Sequence, residues 1–276
     1  MNFKQKYDED GFYVARSVFT LEFCEEIKDY LNALPAAINI PFSDVPWGWG
    51  DLYNEGPFSK ITDDRLLNMF CEGILGKGHK FMTLMVNNKA PWIGSSVEWH
   101  QEVFNMKTYA PGCDPEKDWE SFAQVYVALD DQALENGCLK VFPGSHRLGI
   151  LPHVDIVADN FGHKRQVAYR ELEGAYKKCG VSNVIMSTGD VLFFNHRLIH
   201  GSASNHSPYP RKSIVLRASS NPPVAKHDPD TFERETQHRR NFVIASLSAR
   251  VKTLRDKNPY SDFIYDGDKD IKNEVE

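Results

Sequence analysis

Lys80-Phe81-Met82-Thr83-Leu84-Met85-Val86-Asn87 is where the chain changes its period. Before it, apolar residues recur at helical spacing. From it onward they fall into short alternating or unbroken apolar segments bounded by turn residues, the pattern of β-strands. Further segments of this kind lie at 96–102, 124–129, 138–142, 183–186, 191–194 and 212–217, with Glu135-Asn136-Gly137, Pro143-Gly144-Ser145 and Thr188-Gly189-Asp190 as turn chemistry between them. Strands gathered behind a helical start, without helices interleaved at regular intervals, predict a mainly β fold with flanking helices. Among such folds the double-sheet jelly roll fits best.

Working outward from that stretch, residues 1–19 read as an extended lead-in with a short strand at 11–16. Thr20 is placed to cap a helix over 21–31, and a second helix is expected at 63–75, with Leu66, Leu67, Phe70, Ile74 and Leu75 near one face and Gly76 to stop it. Between these helices, residues 41–58 crowd Trp47, Trp49 and Tyr53 among glycines and prolines. That composition predicts a loop folded over a cavity, with Trp47, Trp49 and Tyr53 as candidate substrate contacts beside the plain alternative of aromatics packed on the scaffold. Two long connections, 107–121 and 148–180, are candidate lids. Beyond Asn221-Pro222-Pro223 a charged helical stretch is expected at 230–254. The expected organisation is one domain over 1–276: a helical part at 1–79, a jelly-roll core at about 80–218 and a helical extension at 219–276.

The charge balance narrows the partners. Lys+Arg total 32 against Asp+Glu 38, a net charge of −6, and no basic stripe is present, which argues against nucleic acid or an anionic membrane surface as partner. A small molecule is the partner expected instead. No apolar run approaches the length of a membrane span, so a soluble, cytoplasmic protein is expected. The five cysteines are odd in number and widely spaced, the usage of free thiols in a reducing compartment.

The chemistry sits in two places, Trp99-His100-Gln101-Glu102 and the block from His200 to Arg211. On a strand His100 and Glu102 point the same way while Gln101 turns to the other side. His200 follows a strongly apolar strand, in a turn where a side chain can enter a barrel mouth. Two imidazoles and one carboxylate on one face of a metal leave three positions open, the arrangement that suits non-haem ferrous iron and oxygen. Zinc with the same ligands, as a hydrolase, is a chemically admissible rival. Against it stands Arg211, eleven residues past His200, whose guanidinium fork suits the distal carboxylate of a chelating keto-acid, with Ser202 as a further donor.

At these residues the chain resembles the phytanoyl-CoA dioxygenase family of iron(II)- and 2-oxoglutarate-dependent oxygenases. The likeness is carried by 10–14, 99–102, 127–131, 135–147, 189–194 and 200–211, in the family's order. The resemblance implies a double-stranded β-helix, a cupin-like jelly roll, with His100, Glu102 and His200 holding Fe(II), Arg211 and Ser202 holding 2-oxoglutarate, and Asn87 as a further contact to that co-substrate. It implies an O2-dependent reaction, hydroxylation of a small or medium-sized metabolite with release of succinate and CO2. Glu102 stands where the family usually has Asp, one methylene shorter. The alternatives that stay open are a non-catalytic small-molecule-binding protein on the same scaffold and the zinc hydrolase.

Other residues receive smaller roles. Phe104, two residues past Glu102, is a candidate substrate contact if the strand continues. Arg217 shares a strand face with Arg211 and needs an anion, either a protein carboxylate or one on the substrate. His146 and Asp190 read as turn residues, and His196 lacks the helical context that a metal pair with His200 would need.

Overall fold

The computed structural model describes residues 2–33, 56–92, 94–102, 114, 117–156 and 165–220. Trp47, Trp49, Tyr53, Phe104 and the helix expected at 230–254 lie outside these residues. The chain divides into two compact units, Met1–Tyr30 with Pro41–Lys226 and Leu31–Ile40 with His227–Glu276. The sheets and the site described below belong to the first.

The lead-in is helical where the sequence suggests extended chain: α1 spans Phe3–Asp10 before β1 at Phe12–Ala15. Local polar chemistry makes this helix. The Asn2 side chain accepts from the Lys4 N–H, Lys6 pairs with Asp10 one turn on, and left-handed Gly11 (φ 80°) donates to the Tyr7 carbonyl at 2.8 Å. Tyr7 alone of its residues is buried, so no apolar period announces the helix. The other two N-terminal helices match their reading. Helix α2 covers Leu21–Ala33 with the Thr20 hydroxyl accepting from the Phe23 N–H, and after a short α3 (Phe58–Thr62) α4 covers Arg65–Leu75 between an Asp64 cap and Gly76.

The strands follow: β2 (Lys80–Lys89), β3 (Val97–His100), β4 (Phe122–Ala128), β5 (Leu139–Val141), β6 (His153–Asp155), β7 (Arg165–Val167), then helix α5 (Tyr169–Cys179), β8 (Ser182–Val184), β9 (Val191–Asn195), β10 (His200–Ser202) and β11 (Arg211–Ser219). One sheet has the order β1-β9-β4-β11-β2 and the other β3-β10-β5-β8, with every pair antiparallel. Their inner faces share a core: Tyr126, Ala128, Leu192, Phe194 and Val215 from the first sheet against Leu139, Val141 and Val184 from the second. This is the jelly roll that the strand pattern predicts. The connection read as a bare insertion at 148–180 holds the β6–β7 hairpin and α5, whose Ala175 packs with Phe142, Val167 and Ile199. Among the described residues no helix is long and apolar enough to cross a membrane.

One feature of the inner face points to a site. Alternation along β11 puts Arg211, Ser213 and Arg217 on the side of Val215, which belongs to the core. Burying an apolar side chain there contributes about 1.5–3 kcal/mol, whereas a buried polar group costs free energy until it is partnered. Polar residues kept on that face therefore single out a candidate site.

Candidate metal centre

Antiparallel pairing of β3 with β10 makes His100 and His200 direct partners across the ladder, with ring centroids 4.1 Å apart. Gly201 permits this approach, since a Cβ there would stand 2.9 Å from the Val97 carbonyl oxygen and 3.2 Å from the Trp99 ring. The strand reading holds as far as His100, where β3 ends. Glu102 returns to the site by another route: its N–H donates to the His196 carbonyl at 3.0 Å, in the turn between β9 and β10. His196 thus serves through its backbone.

The three side chains converge. Glu102 Oε1 lies 3.5 Å from His100 Nε2 and 3.6 Å from His200 Nε2, and one ligand atom from each of the three residues falls within 4.8 Å of the others. Donors bound to one ion at about 2.1 Å stand roughly 3–4 Å apart, so the spacing fits a shared metal. Both imidazoles are set in the tautomer that a ligand needs. His100 Nδ1 lies 2.7 Å from the Glu98 carbonyl and His200 Nδ1 2.9 Å from the Leu198 carbonyl, and because a carbonyl only accepts, each Nδ1 carries the hydrogen and Nε2 presents its lone pair to the site. Burial pushes the Glu102 carboxyl up, but the Arg217 charge beside it outweighs this and holds the group well below the usual carboxylate range. The carboxylate is available as an anionic ligand.

Gln101 faces away, as alternation requires, and fastens the surrounding loops. Its amide nitrogen donates to the Gly149 and Arg197 carbonyls at 2.9 and 2.6 Å, and its oxygen accepts from the Leu151 N–H at 2.9 Å. The residue between these two candidate ligands is therefore held from three directions. His146 bridges to the Asp8 carbonyl and Asp190 accepts from Arg16, Ser17 and Ser187, both of them turn-fixing roles.

A second polar group lies along the inner face at the start of β11. Arg211 is 2% exposed, and its Nε and Nη1 have no hydrogen-bond partner among the described residues. Opposite it on β2 stands Lys89, fully buried, whose ammonium donates to Ser202 Oγ at 2.7 Å and to the Ala203 carbonyl. Since Ser202 accepts from Lys89, its own hydrogen is directed elsewhere. Two register steps along, on the same face, Asn87 opposes Ser213, and Asn87 Oδ1 and Ser213 Oγ are buried without a partner among the described residues. Two cations, a hydroxyl donor and unsatisfied polar atoms in an apolar barrel are a donor set chemically suited to a carboxylate.

Sequence reasoning misses Lys89, Ser213, Gln101 and Gln124. Lys89 and Ser213 carried a usable signal, a polar residue at period two on an inward strand face. Gln124 lies opposite Arg217 across the β4–β11 pair, and both its amide atoms are buried without a partner among the described residues. Arg217, expected to need an anion, donates to Glu102 Oε2 at 3.0 Å. The described cysteines are free, and burial pushes the thiols up, to about 11 at Cys24 and about 12 at Cys71.

Comparison with known proteins agrees with this geometry. The peroxisomal phytanoyl-CoA dioxygenase of Bos taurus is 28% identical over 233 residues, which cover 75% of this chain and 65% of that protein. The ectoine dioxygenase of Bordetella bronchiseptica is 30% identical over 245 residues, 79% of this chain and 76% of that one. Among solved structures, EctD from S. alaskensis with bound Fe superposes with a TM-score of 0.61 at 19% identity, covering 81% of this chain and 80% of that one. The epimerase SnoN in complex with Fe3+, alpha ketoglutarate and nogalamycin RO superposes with a TM-score of 0.58 at 18% identity, covering 79% and 82%. These two share the fold. The sequence pattern of the family described as phytanoyl-CoA dioxygenase (PhyH) matches residues 7–213, most of the chain, and with the jelly roll and the His-Glu-His cluster in place the chain belongs to the phytanoyl-CoA dioxygenase family.

Proposed function

We propose that the chain is an iron(II)- and 2-oxoglutarate-dependent oxygenase acting on a small or medium-sized organic molecule. The observation that carries this reading is the pairing of two sites in one barrel: His100, Glu102 and His200 gathered around a point, and the Arg211 guanidinium buried in the same inner space with two nitrogens unpartnered. A buried guanidinium without an anion is costly, and a dicarboxylate bound to the metal through one end supplies that anion with the other.

His100, Glu102 and His200 would hold the iron through two imidazole nitrogens and one carboxylate oxygen, a donor set suited to Fe(II) with open positions. When bound, iron and the keto-acid supply the oxygen chemistry, in which 2-oxoglutarate is converted to succinate and CO2 as the substrate is oxidised. The chain's own residues bind and orient. Arg211, Lys89 and Ser202 receive the distal carboxylate, Asn87 and Ser213 offer further polar contacts, and the apolar row of Met85, Tyr126 and Val215 keeps water from the space between.

The deciding experiment adds Fe(II) and then 2-oxoglutarate to metal-free protein without oxygen, and repeats the addition on Arg211→Ala. The expected result is the weak visible charge-transfer band of a keto-acid chelated to iron, lost or shifted to much higher 2-oxoglutarate concentration in the variant. A protein that binds Zn(II) and hydrolyses esters or amides equally well with and without Arg211 would overturn the assignment.

A further inference from the structure

We infer that Arg217 is a positioning residue that makes Glu102 a one-oxygen ligand and so allows the longer carboxylate to serve at this centre. The inference rests on the metal reading above and concerns how the carboxylate is held. Glu102 is fixed at two points. Its N–H is tied to the His196 carbonyl at 3.0 Å, and its Oε2 receives Arg217 Nη2 at 3.0 Å. With both ends fixed, Oε1 is the oxygen left facing the imidazoles, at 3.5 and 3.6 Å from their Nε2 atoms.

The extra methylene relative to aspartate is what this double attachment requires. The carboxylate has to reach the guanidinium on β11 with one oxygen and the space between His100 and His200 with the other. Arg217 is itself immobilised: it is 3% exposed, lies opposite Gln124 on β4, and sets Nη1 3.6 Å from Met85 Sδ. A carboxylate not held in this way can close on a metal with both oxygens and take two coordination positions. Held by Arg217 it takes one, which leaves three positions for a chelating keto-acid and oxygen. Arg217 is thereby committed to the protein's own anion and is not the anchor for a charged substrate.

The test is a double-variant cycle read by metal binding. Metal-free wild type, Arg217→Met, Glu102→Asp and the double variant are titrated with Mn(II) and with Co(II), and circular dichroism and melting of the unloaded proteins confirm the fold. Arg217→Met is expected to weaken Mn(II) binding by about 10- to 100-fold, the usual effect of losing a partner of a metal ligand. Its Co(II) complex should show a shifted visible spectrum as the released carboxylate takes a second position from water. Glu102→Asp should cost a similar factor in the Arg217 protein, where the shorter arm stays drawn to the guanidinium. In the Arg217→Met background the same change should cost less than about threefold, because a released aspartate can turn to the ion. Should Arg217→Met fail to fold, Arg217→Lys, which keeps the charge without the fork, is expected to fall between wild type and the losses above.

Losses that multiply independently, or Mn(II) binding unchanged on substitution of Arg217, would overturn the inference while leaving the metal centre intact. Wild type that binds neither ion, or binds them unaltered after Glu102→Ala, would overturn the metal reading itself.

Discussion

Lys89 and Arg211 stand opposite one another across the β2–β11 ladder, both buried, and no carboxylate pairs with Arg211 among the described residues. Two adjacent cations in a barrel interior repel each other unless an anion joins them, and Lys89 already orients Ser202 toward the same space. A carboxylate received there, as proposed for the co-substrate, would relieve that repulsion. Arg211→Ala should weaken 2-oxoglutarate binding to the Mn(II)-loaded protein by about 3 kcal/mol, near 100-fold, the size of a lost charge-assisted pair. Lys89→Met should cost about half as much in free energy. Calorimetric titration without oxygen measures both, and equal affinity in wild type and Arg211→Ala would remove Arg211 from the co-substrate site.

Gln101 ties Gly149, Leu151 and Arg197 to the segment between two of the proposed metal ligands. Replacing it with Leu deletes three hydrogen bonds and strands their backbone partners, so Gln101→Leu should lower unfolding stability by about 2–3 kcal/mol. It should also weaken metal binding, since His100 and Glu102 flank the residue. Denaturant unfolding of the metal-free protein checks the first effect. A loss under about 0.5 kcal/mol would show that the loops hold without this residue.

Gly189, in the turn before β9, has φ +88°, and a Cβ there would lie 2.1 Å from the Phe19 carbonyl oxygen. The two segments cannot simply separate, because the Phe19 N–H donates to the Gly189 carbonyl at 3.0 Å. Gly189→Ala therefore combines a left-handed backbone penalty of about 1–2 kcal/mol with a steric clash. A fall in melting temperature of several degrees is expected. Tolerance of Ala without change in melting would mean that the turn can relax.

His196 is fully buried, and burial lowers its pKa from 6.5 to about 3, while the nearby Glu102 charge opposes the shift. Between pH 6.5 and 3 the unfolded chain therefore binds a proton at this residue that the folded chain refuses. Stability of the metal-free protein should fall as the pH drops through that window, by up to about 1.4 kcal/mol per pH unit from this residue. His153, lowered by burial to about 4, acts in the same direction but is partly exposed and contributes less. Unfolding curves at pH 7.5, 6.5 and 5.5 for wild type and His196→Asn provide the check. An unchanged slope in the variant would show that His196 takes up its proton without unfolding.

Local chemistry made much of this legible in the sequence. Alternation located most of the strands from 80 onward, Gly76 marked the end of α4, and the residue types at His100, Glu102 and His200 singled out three side chains that the fold brings together. Where local polar contacts replaced apolar periodicity the reading failed, as in α1, whose capping and turn-to-turn ion pair carry a helix that buries one side chain. Strand geometry was also extended too far at Glu102, which leaves β3 and is returned to the site by a hydrogen bond to the carbonyl of a distant turn.

Most of the sheet strands, the β architecture and the three side chains that cluster in the barrel were legible along the chain, because alternation, turn residues and donor types are properties of neighbours; the β6–β7 hairpin and the short β10, read as a connection and a turn, were not. The tertiary structure alone decided that Arg217 takes Glu102 as its anion, that Lys89 stands against Arg211, and that Gln101 fastens the loops behind the ligands. Each of those facts depends on strand register or on a turn packed from far along the chain, set by the fit of two sheets over a shared core. No local pattern encodes which of several buried polar groups will meet across such a core.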